Sequence, residues 1–494
     1  MQEMKRSLSQ QEMNDRSIPE TVEWLRRIGY QPSDLTRLNS VHVAGTKGKG
    51  STSAFISSIL SQYSESSQSS RGNKKVGLYT SPHLRFARER MQINNEPLSE
   101  EKFAQYFFEV WDRLGESAKA AGEDPADLRT KPQYFRYLTL MAFHAYLSEG
   151  VDAAVIECGI GGEYDCTNVI PKPVASVITS LDIDHVALLG PTIDQIAWHK
   201  GGIIKAGAKA FSAPQETGAE AVLLKRAEEK STQLEIVRSH PELQPGGDLK
   251  LGLAGDFQYV NAAVAVAAAA EHLRKTGVEN IPEDILKDKL PERFRKGLEA
   301  TRLGGRCDTR KEKSVSWFID GGHTQQSIKL AGQWYASQIR QGPSNLAEGK
   351  NPRVLIFNQQ TRDSNALAQR LHKTLTDALG SGTPFTHAIF CTNVTYKDAG
   401  YRPDLVSMNT NADDVDKLRV QKSLADTWKA LDPTAEVKVF STIEDAVDFT
   451  RELAKQRGSA SGDAAPIGAF VTGSLHLVGG FLDVIETKPE QRSA

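Results

Sequence analysis

Val41-His42-Val43-Ala44-Gly45-Thr46-Lys47-Gly48-Lys49-Gly50-Ser51-Thr52 is the stretch around which the rest of the chain is read. Val41 to Ala44 is a short apolar run that reads as a buried strand. Ala54-Phe55-Ile56 to Ile59-Leu60, just after it, reads as a helix. Between them lies a glycine-rich turn with two lysines. Glycines let the backbone curl so that several N–H groups face one anion, and the helix N-terminus adds partial positive charge. Lys49 is placed to reach the β/γ-phosphates of a nucleotide, and Ser51 or Thr52 to cap the helix or face a metal. The spacing is G-x-x-G-K-G-S rather than the common G-x-x-x-x-G-K-[ST]. A lysine-decorated surface turn is the bland alternative, and the flanking strand and helix weigh against it. Lys47 and Lys49 would repel each other unless an anion sat between them.

Working outward, the 494 residues suggest two or three domains and ample core. The balance of 60 basic against 62 acidic residues, net −2, argues against a nucleic-acid-binding body. No apolar run approaches the roughly 18 residues of a transmembrane helix. Residues 1–20 have no apolar core, so no secretory signal is expected, and their acidic residues speak against a mitochondrial presequence. Cys158, Cys166, Cys307 and Cys391 have no metal-ligand spacing and suit free thiols in a reducing compartment.

Residues 17–38 read as helix, with Ile18, Val22, Leu25 and Ile28 on one stripe, and residues 64–75 as a Ser-rich loop. Val76–Tyr79 reads as a strand whose end carries Ser81 before Pro82. Ligands of open α/β sheets bind outside the carboxyl ends of strands, although from Ser81 alone an ordinary turn serine is the stronger reading. Arg85 to Arg90 is a basic knot, facing either a polyanionic substrate or solvent. Two helical stretches follow, Phe103–Trp111 and Tyr134–Leu147, with core-type aromatics.

The strand Val151–Ile156 ends in Glu157 and Gly159-Ile160-Gly161-Gly162. A carboxylate there suits Mg2+, which takes one or two carboxylates plus phosphates and water; a helix cap is the alternative. The strand Val174–Ser180 ends near Asp184 and His185, which would converge on Glu157 if the two strands are near neighbours. Thr192 or Asp194 caps the next helix, and spacing alone makes Lys200 a partner of its C-terminal dipole. Gln258 and Asn261, about one turn apart before and in an Ala-rich helix, are suited to reading an amide or base edge. Residues 291–305, charged and bounded by glycines, read as the interdomain linker.

Beyond it the alternation restarts. Ser314–Ile319, Val354–Phe357, His387–Phe390, Val437–Phe440 and Gly468–Thr472 read as strands of a smaller, mostly parallel sheet. No G-x-G-x-x-G accompanies them, and residues 341–352 and 400–416 read as polar loops.

Six stretches in order carry a family resemblance: GTKGKGST; TSPHL with RERMQIN; VIECGIGGEYDCTNVI; SLDIDHVALLG with IAWHKGGIIK; DGGHT; and VTGSLHLVGG. Together they resemble the folylpolyglutamate synthase family, eukaryotic-type in GGEYDCTN, within the wider Mur-ligase family of ATP-dependent amide-forming ligases. The resemblance implies an α/β fold: a P-loop-type ATPase domain with a mostly parallel sheet, residues 1–304, and a smaller Rossmann-like domain, residues 305–494.

It also implies roles. Gly48, Lys49, Gly50 and Ser51 match phosphate-binding positions, and Ser81, Glu157 and His185 match Mg2+ positions. Lys200 matches a lysine that is carbamylated in family members and so becomes a metal ligand, which displaces the dipole reading. Gln258 and Asn261 join the nucleotide side. Arg306 and Asp320 match nucleotide-holding residues of the C-terminal domain, and His323, on the same loop, is a candidate to orient or deprotonate the incoming amine. The loop from Ser81 to Arg90 resembles the folate-side loop. Two departures stand out: Leu303-Gly304-Gly305-Arg306 replaces the usual Trp-Pro-Gly-Arg, and Asp320-Gly321-Gly322-His323 the commoner Asp-Gly-Ala-His.

The expected reaction is phosphorylation of the γ-carboxylate of a folyl-glutamate by MgATP, then attack by the amine of L-glutamate on the acyl phosphate. Expected cofactors are ATP and Mg2+ at two sites, with a monovalent cation such as K+ in the range of the family. Expected partners are reduced folates, L-glutamate and ATP, and the chain is expected to be a cytoplasmic monomer, compatible with a mitochondrial pool. A dihydrofolate synthase would use the same chemistry on dihydropteroate. A nucleotide-binding regulatory protein would lack a metal residue, whereas Ser81, Glu157, His185 and Lys200 are all present.

Overall fold

The computed structural model describes residues 9–64, 75–312, 314–342, 351–360, 362–397, 418–461 and 466–487. The loops expected at 64–75, 341–352 and 400–416 fall almost wholly outside the described residues. The chain divides into two compact units. One comprises residues 1–83, 88–252 and 256–303; the other comprises 84–87, 253–255 and 304–494.

Among the described residues the first unit is built on eight strands: β1 Val41–Ala44, β2 Val76–Tyr79, β3 Met91–Ile93, β4 Glu96–Pro97, β5 Ala153–Glu157, β6 Ala175–Ile178, β7 Lys209–Ser212 and β8 Leu234–Ile236. Their order is β4-β3-β2-β5-β1-β6-β7-β8. β2, β5, β1, β6, β7 and β8 run parallel, and β3 and β4 are antiparallel. The central strands are buried at every position, as expected of a parallel sheet covered on both faces. β1 lies between β5 and β6, so the crevice where strand order reverses opens at the end of β1.

Among the described residues the second unit holds six strands: β9 Asp308–Lys311, β10 Val315–Asp320, β11 Arg353–Phe357, β12 His387–Cys391, β13 Glu436–Phe440 and β14 Ile467–Thr472. The order is β13-β12-β11-β14-β10-β9, all parallel except β9. This is the smaller α/β sheet the alternation predicts. The sixth strand, Asp-Thr-Arg-Lys, is a largely exposed edge with no apolar signal to reveal it.

Three element expectations are corrected. The first helix runs Gln10–Arg27, closed at its start by a Ser9–Glu12 capping box, and breaks before a separate 3₁₀ turn at Pro32–Leu38. The Ala-rich helix begins at Gln258 rather than near Asn261. The predicted linker is mostly a packed helix, Glu292–Ala300, with Phe294 and Leu298 buried. Gly297 lies so close to Ile59 that any side chain there would collide with the helix Lys49–Ser61, and Ser58 Oγ donates to its carbonyl at 2.7 Å. Among the described residues no helix is long and apolar enough to cross a membrane.

Candidate active site

β1 ends at Ala44 and the helix Lys49–Ser61 begins after four intervening residues. The turn between is anchored to the neighbouring strand end: the N–H groups of Thr46 and Lys47 both donate to the Ser180 carbonyl, at 3.1 and 3.0 Å. Gly48 is left-handed at φ 86°, and a Cβ on it would overlap the Asn261 amide. Asn261 donates to Gln258 Oε1 at 2.9 Å, and Gln258 Nε2 to Ser51 Oγ at 3.2 Å. Both amides are almost completely buried. They brace the turn and its helix from below, rather than lying open to a base edge as their spacing suggests.

The two lysines separate. Lys47 Nζ lies 3.4 Å from Asp184 Oδ2 on one side, and Lys49 Nζ lies 3.9 Å from Glu157 Oε1 on the other. Their mutual repulsion is relieved by a carboxylate from each flanking strand end. Glu157 closes β5, is 3% exposed, and also accepts the backbone N–H of Ser81 at 3.0 Å. Lys49, Glu157 and Ser81 are thus brought together from the ends of β1, β5 and β2. No helix begins at Glu157, so the capping alternative is not realised.

β5 and β6 are not adjacent, because β1 separates them. Glu157 and Asp184 therefore flank the loop from opposite sides instead of meeting. His185 is exposed, left-handed at φ 51°, and heads the short helix Val186–Leu189. Among the described residues no group of three or more His, Cys, Asp or Glu side chains is placed to hold a metal by itself. A buried carboxylate beside a hydroxyl residue and a phosphate loop is a donor set that fits Mg2+, which draws remaining ligands from phosphate oxygens and water.

Lys200 is not a solvated dipole partner. It sits on the helix Ile193–Gly201, capped by Thr192, is 3% exposed, and donates from Nζ to the Gly45 carbonyl at 2.8 Å. Burial first, then the nearby Lys49 charge, lower its pKa to about 7. Gly162 makes this placement possible, since a side chain there would strike the backbone of His199 and Lys200.

Sequence reasoning passed over Asp165. Its carboxylate accepts the N–H groups of Gly159, Ile160 and Thr167 and the Thr167 hydroxyl, at 2.6–3.1 Å. It thereby fixes the turn that follows Glu157, and burial pushes its pKa up. The Asp-Cys-Thr sequence, an Asx-type turn, was the available signal.

In the second unit Asp320 ends β10 and is buried. One carboxylate oxygen accepts the Cys307 N–H at 2.9 Å and the other the Gly322 N–H at 2.8 Å. Burial raises its pKa, opposed by the neighbouring Arg306 charge. Asp320 therefore pins the turn that carries Arg306. His323 follows, half-buried, with Nδ1 2.9 Å from the Gly321 carbonyl.

A folylpolyglutamate synthase of Neurospora crassa is 46% identical over 472 residues, spanning 95% of this chain and 85% of its own length. One of Saccharomyces cerevisiae is 44% identical over 480 residues, spanning 96% and 82%. The chain belongs to the folylpolyglutamate synthase family. No family model matches the chain. The Mycobacterium tuberculosis folylpolyglutamate synthase complexed with ADP and AMPPCP aligns with a TM-score of 0.67 at 22% identity, covering 96% of this chain and 100% of that one. That likeness speaks for the fold, and the two fungal relatives speak for the family.

Proposed function

We infer that the chain adds L-glutamate to the γ-carboxylate of reduced folyl-(poly)glutamates, ATP first passing its γ-phosphoryl group to that carboxylate to give ADP and an acyl phosphate, and so retains folates in the cell for one-carbon metabolism. The observation that carries this reading is the likeness, over nearly the whole chain, to two fungal folylpolyglutamate synthases.

The proposed residue roles combine the family resemblance with the local geometry. Gly48, Lys49, Gly50 and Ser51 cradle the nucleotide phosphates, with the backbone amides and the Lys49 ammonium facing charge that builds on the γ-phosphate. Glu157 and Ser81 would hold Mg2+, and the family resemblance adds His185 and Lys200 as residues that would serve a second ion. Magnesium, when bound, neutralises phosphate charge and lowers the barrier to transfer. Gln258 and Asn261 hold the loop in shape. Lys200 is buried and low in pKa, so a fraction of its amine is neutral at pH 7; that form adds CO2 to give a carbamate and a proton. Arg306, set by Asp320, is assigned to the nucleotide by the family resemblance, and His323 to orienting or deprotonating the glutamate amine. The amine attacks the acyl phosphate, a tetrahedral intermediate collapses, and phosphate leaves. Four buried free cysteines support a reducing compartment, and we assign the cytoplasm.

The test is phosphate release by purified protein with MgATP and L-glutamate, with tetrahydrofolate or dihydropteroate as acceptor, and mass analysis of products. Glutamate on tetrahydrofolate is the expected result. Activity on dihydropteroate alone assigns the chain to dihydrofolate synthesis, and ATP binding without turnover removes both.

A further inference from the structure

Arg90 stands just before β3, at the carboxyl end of β2, where its carbonyl accepts the Thr80 N–H at 3.0 Å. Its side chain belongs to the basic knot that the reaction above leaves unused. The residue is 7% exposed. Its Nε donates to His83 Nδ1 at 3.0 Å, and its guanidinium carbon lies 5.6 Å from the centre of the Tyr134 ring. Neither partner bears a negative charge. Among the described residues no carboxylate lies within ion-pair range of Arg90, and neither Nη group has a hydrogen-bond partner. A guanidinium stays protonated in a protein, so burial cannot neutralise it. The side chain is largely buried while its unpaired Nη groups still reach solvent, and a cation held so, with no protein anion, is placed to take one from a ligand.

A second feature points the same way. Tyr134 opens the helix Tyr134–Glu149, whose N-cap residue Gln133 makes no side-chain cap, and whose first turn carries no acid. The N–H groups of that turn add partial positive charge beside Arg90.

Position selects the anion. The sheet order β2-β5-β1 puts two inter-strand steps, about 10 Å, between the end of β2 and the phosphate loop. Arg90 is therefore offset from the nucleotide phosphates, with Glu157 at the end of β5 between them. The γ-carboxylate that receives the phosphate belongs at Glu157. In a glutamyl residue the α-carboxylate is the next anion along, beyond two methylenes. We propose that Arg90, with the uncapped N-terminus of the helix Tyr134–Glu149, receives the α-carboxylate of the terminal glutamyl residue of the folate. This rests on the folyl-ligase reading above, and Arg90 is then a specificity residue that touches substrate.

The test compares two acceptors: tetrahydropteroyl-glutamate, and an analogue carrying 4-aminobutyrate, which keeps the γ-carboxylate and lacks the α-carboxylate. The unsubstituted protein should favour the glutamate acceptor by about tenfold to a hundredfold in kcat/KM. Arg90→Gln should lose most of that preference through a higher KM for the glutamate acceptor, with KM for ATP unchanged. Arg90→Lys should fall between. Undiminished preference in Arg90→Gln, or an equal loss on both acceptors, overturns the proposal. Equal binding of both acceptors by the unsubstituted protein overturns it without any variant. Turnover of neither acceptor by the unsubstituted protein overturns the ligase reading instead.

Discussion

Lys200 Nζ lies 2.8 Å from the carbonyl oxygen of Gly45, tying the last turn of one helix to the first residue of the phosphate loop. The amine is held where the loop begins, and its burial lowers its pKa to about 7. The unfolded chain would hold that proton up to about 10.5. The folded state therefore binds fewer protons between these values, and this group's contribution favours folding progressively as pH rises through them. Lys200→Met should remove the cost of burying an ammonium at neutral pH, raising Tm at pH 7 while abolishing turnover. Differential scanning calorimetry with a parallel assay reads both. A fall in Tm would contradict the buried-amine account.

If Lys200 works as a carbamate, activity should fall when CO2 is stripped from the buffer and return on adding bicarbonate. Lys200→Gln should show no such response. Single-turnover assays under controlled CO2 provide the check.

On the proposed reading, Lys49 faces the charge that grows during phosphoryl transfer. Lys49→Met should lower kcat by about a hundredfold to a thousandfold, the usual loss of one transition-state charge partner, and should also lower Tm, because Glu157 loses its buried charge partner. A change confined to KM would mean that Lys49 serves ground-state binding.

Gly48→Ala should destabilise the first unit and weaken ATP binding together. The residue has positive φ, and its Cβ would press on the Asn261 amide. Adding Asn261→Gly relieves the overlap but not the φ strain, so only part of the stability should return. Denaturant melts of the single and double variants separate the two causes.

Glu149 accepts from Tyr106 Oη at 2.6 Å and lies 2.9 Å from both Lys75 Nζ and Lys102 Nζ. The Tyr106 bond first, then the lysines, hold its pKa at about 2. A depressed carboxylate stabilises above its unfolded pKa, and that contribution is lost as pH falls through the folded value. Glu149→Gln should therefore be less stable than the parent at pH 7, and the gap should narrow between about pH 4 and 2. Urea midpoints across that range test it.

Much of the architecture was legible because parallel strands and their ends announce themselves. Val41–Ala44 and Ala153–Glu157 are apolar runs ending in polar residues, and chemistry gathers at those ends. Lys49 and Glu157 were legible for that reason, whereas Ser81 alone read as a turn serine and joined them only through the family resemblance. Lys200 was not, since helical spacing carries no sign that a lysine tail is buried against a loop from 155 residues earlier. The amides of Gln258 and Asn261 looked like readers because a sequence does not show which face of an Ala-rich helix is covered. The helix Glu292–Ala300 was mistaken for linker because Phe294 and Leu298 are its only large apolar residues among many charges. Arg90 read as one charge of several; only burial distinguishes it.

All four cysteines are buried, Cys158 and Cys166 in the first unit and Cys307 and Cys391 in the second. Burial pushes each thiol up in pKa, which leaves little reactive thiolate while the fold is intact. The chain thus carries two built-in reporters per unit. A thiol-specific reagent followed by peptide mapping should record the opening of each sheet separately, and so show whether nucleotide steadies one half of the molecule before the other.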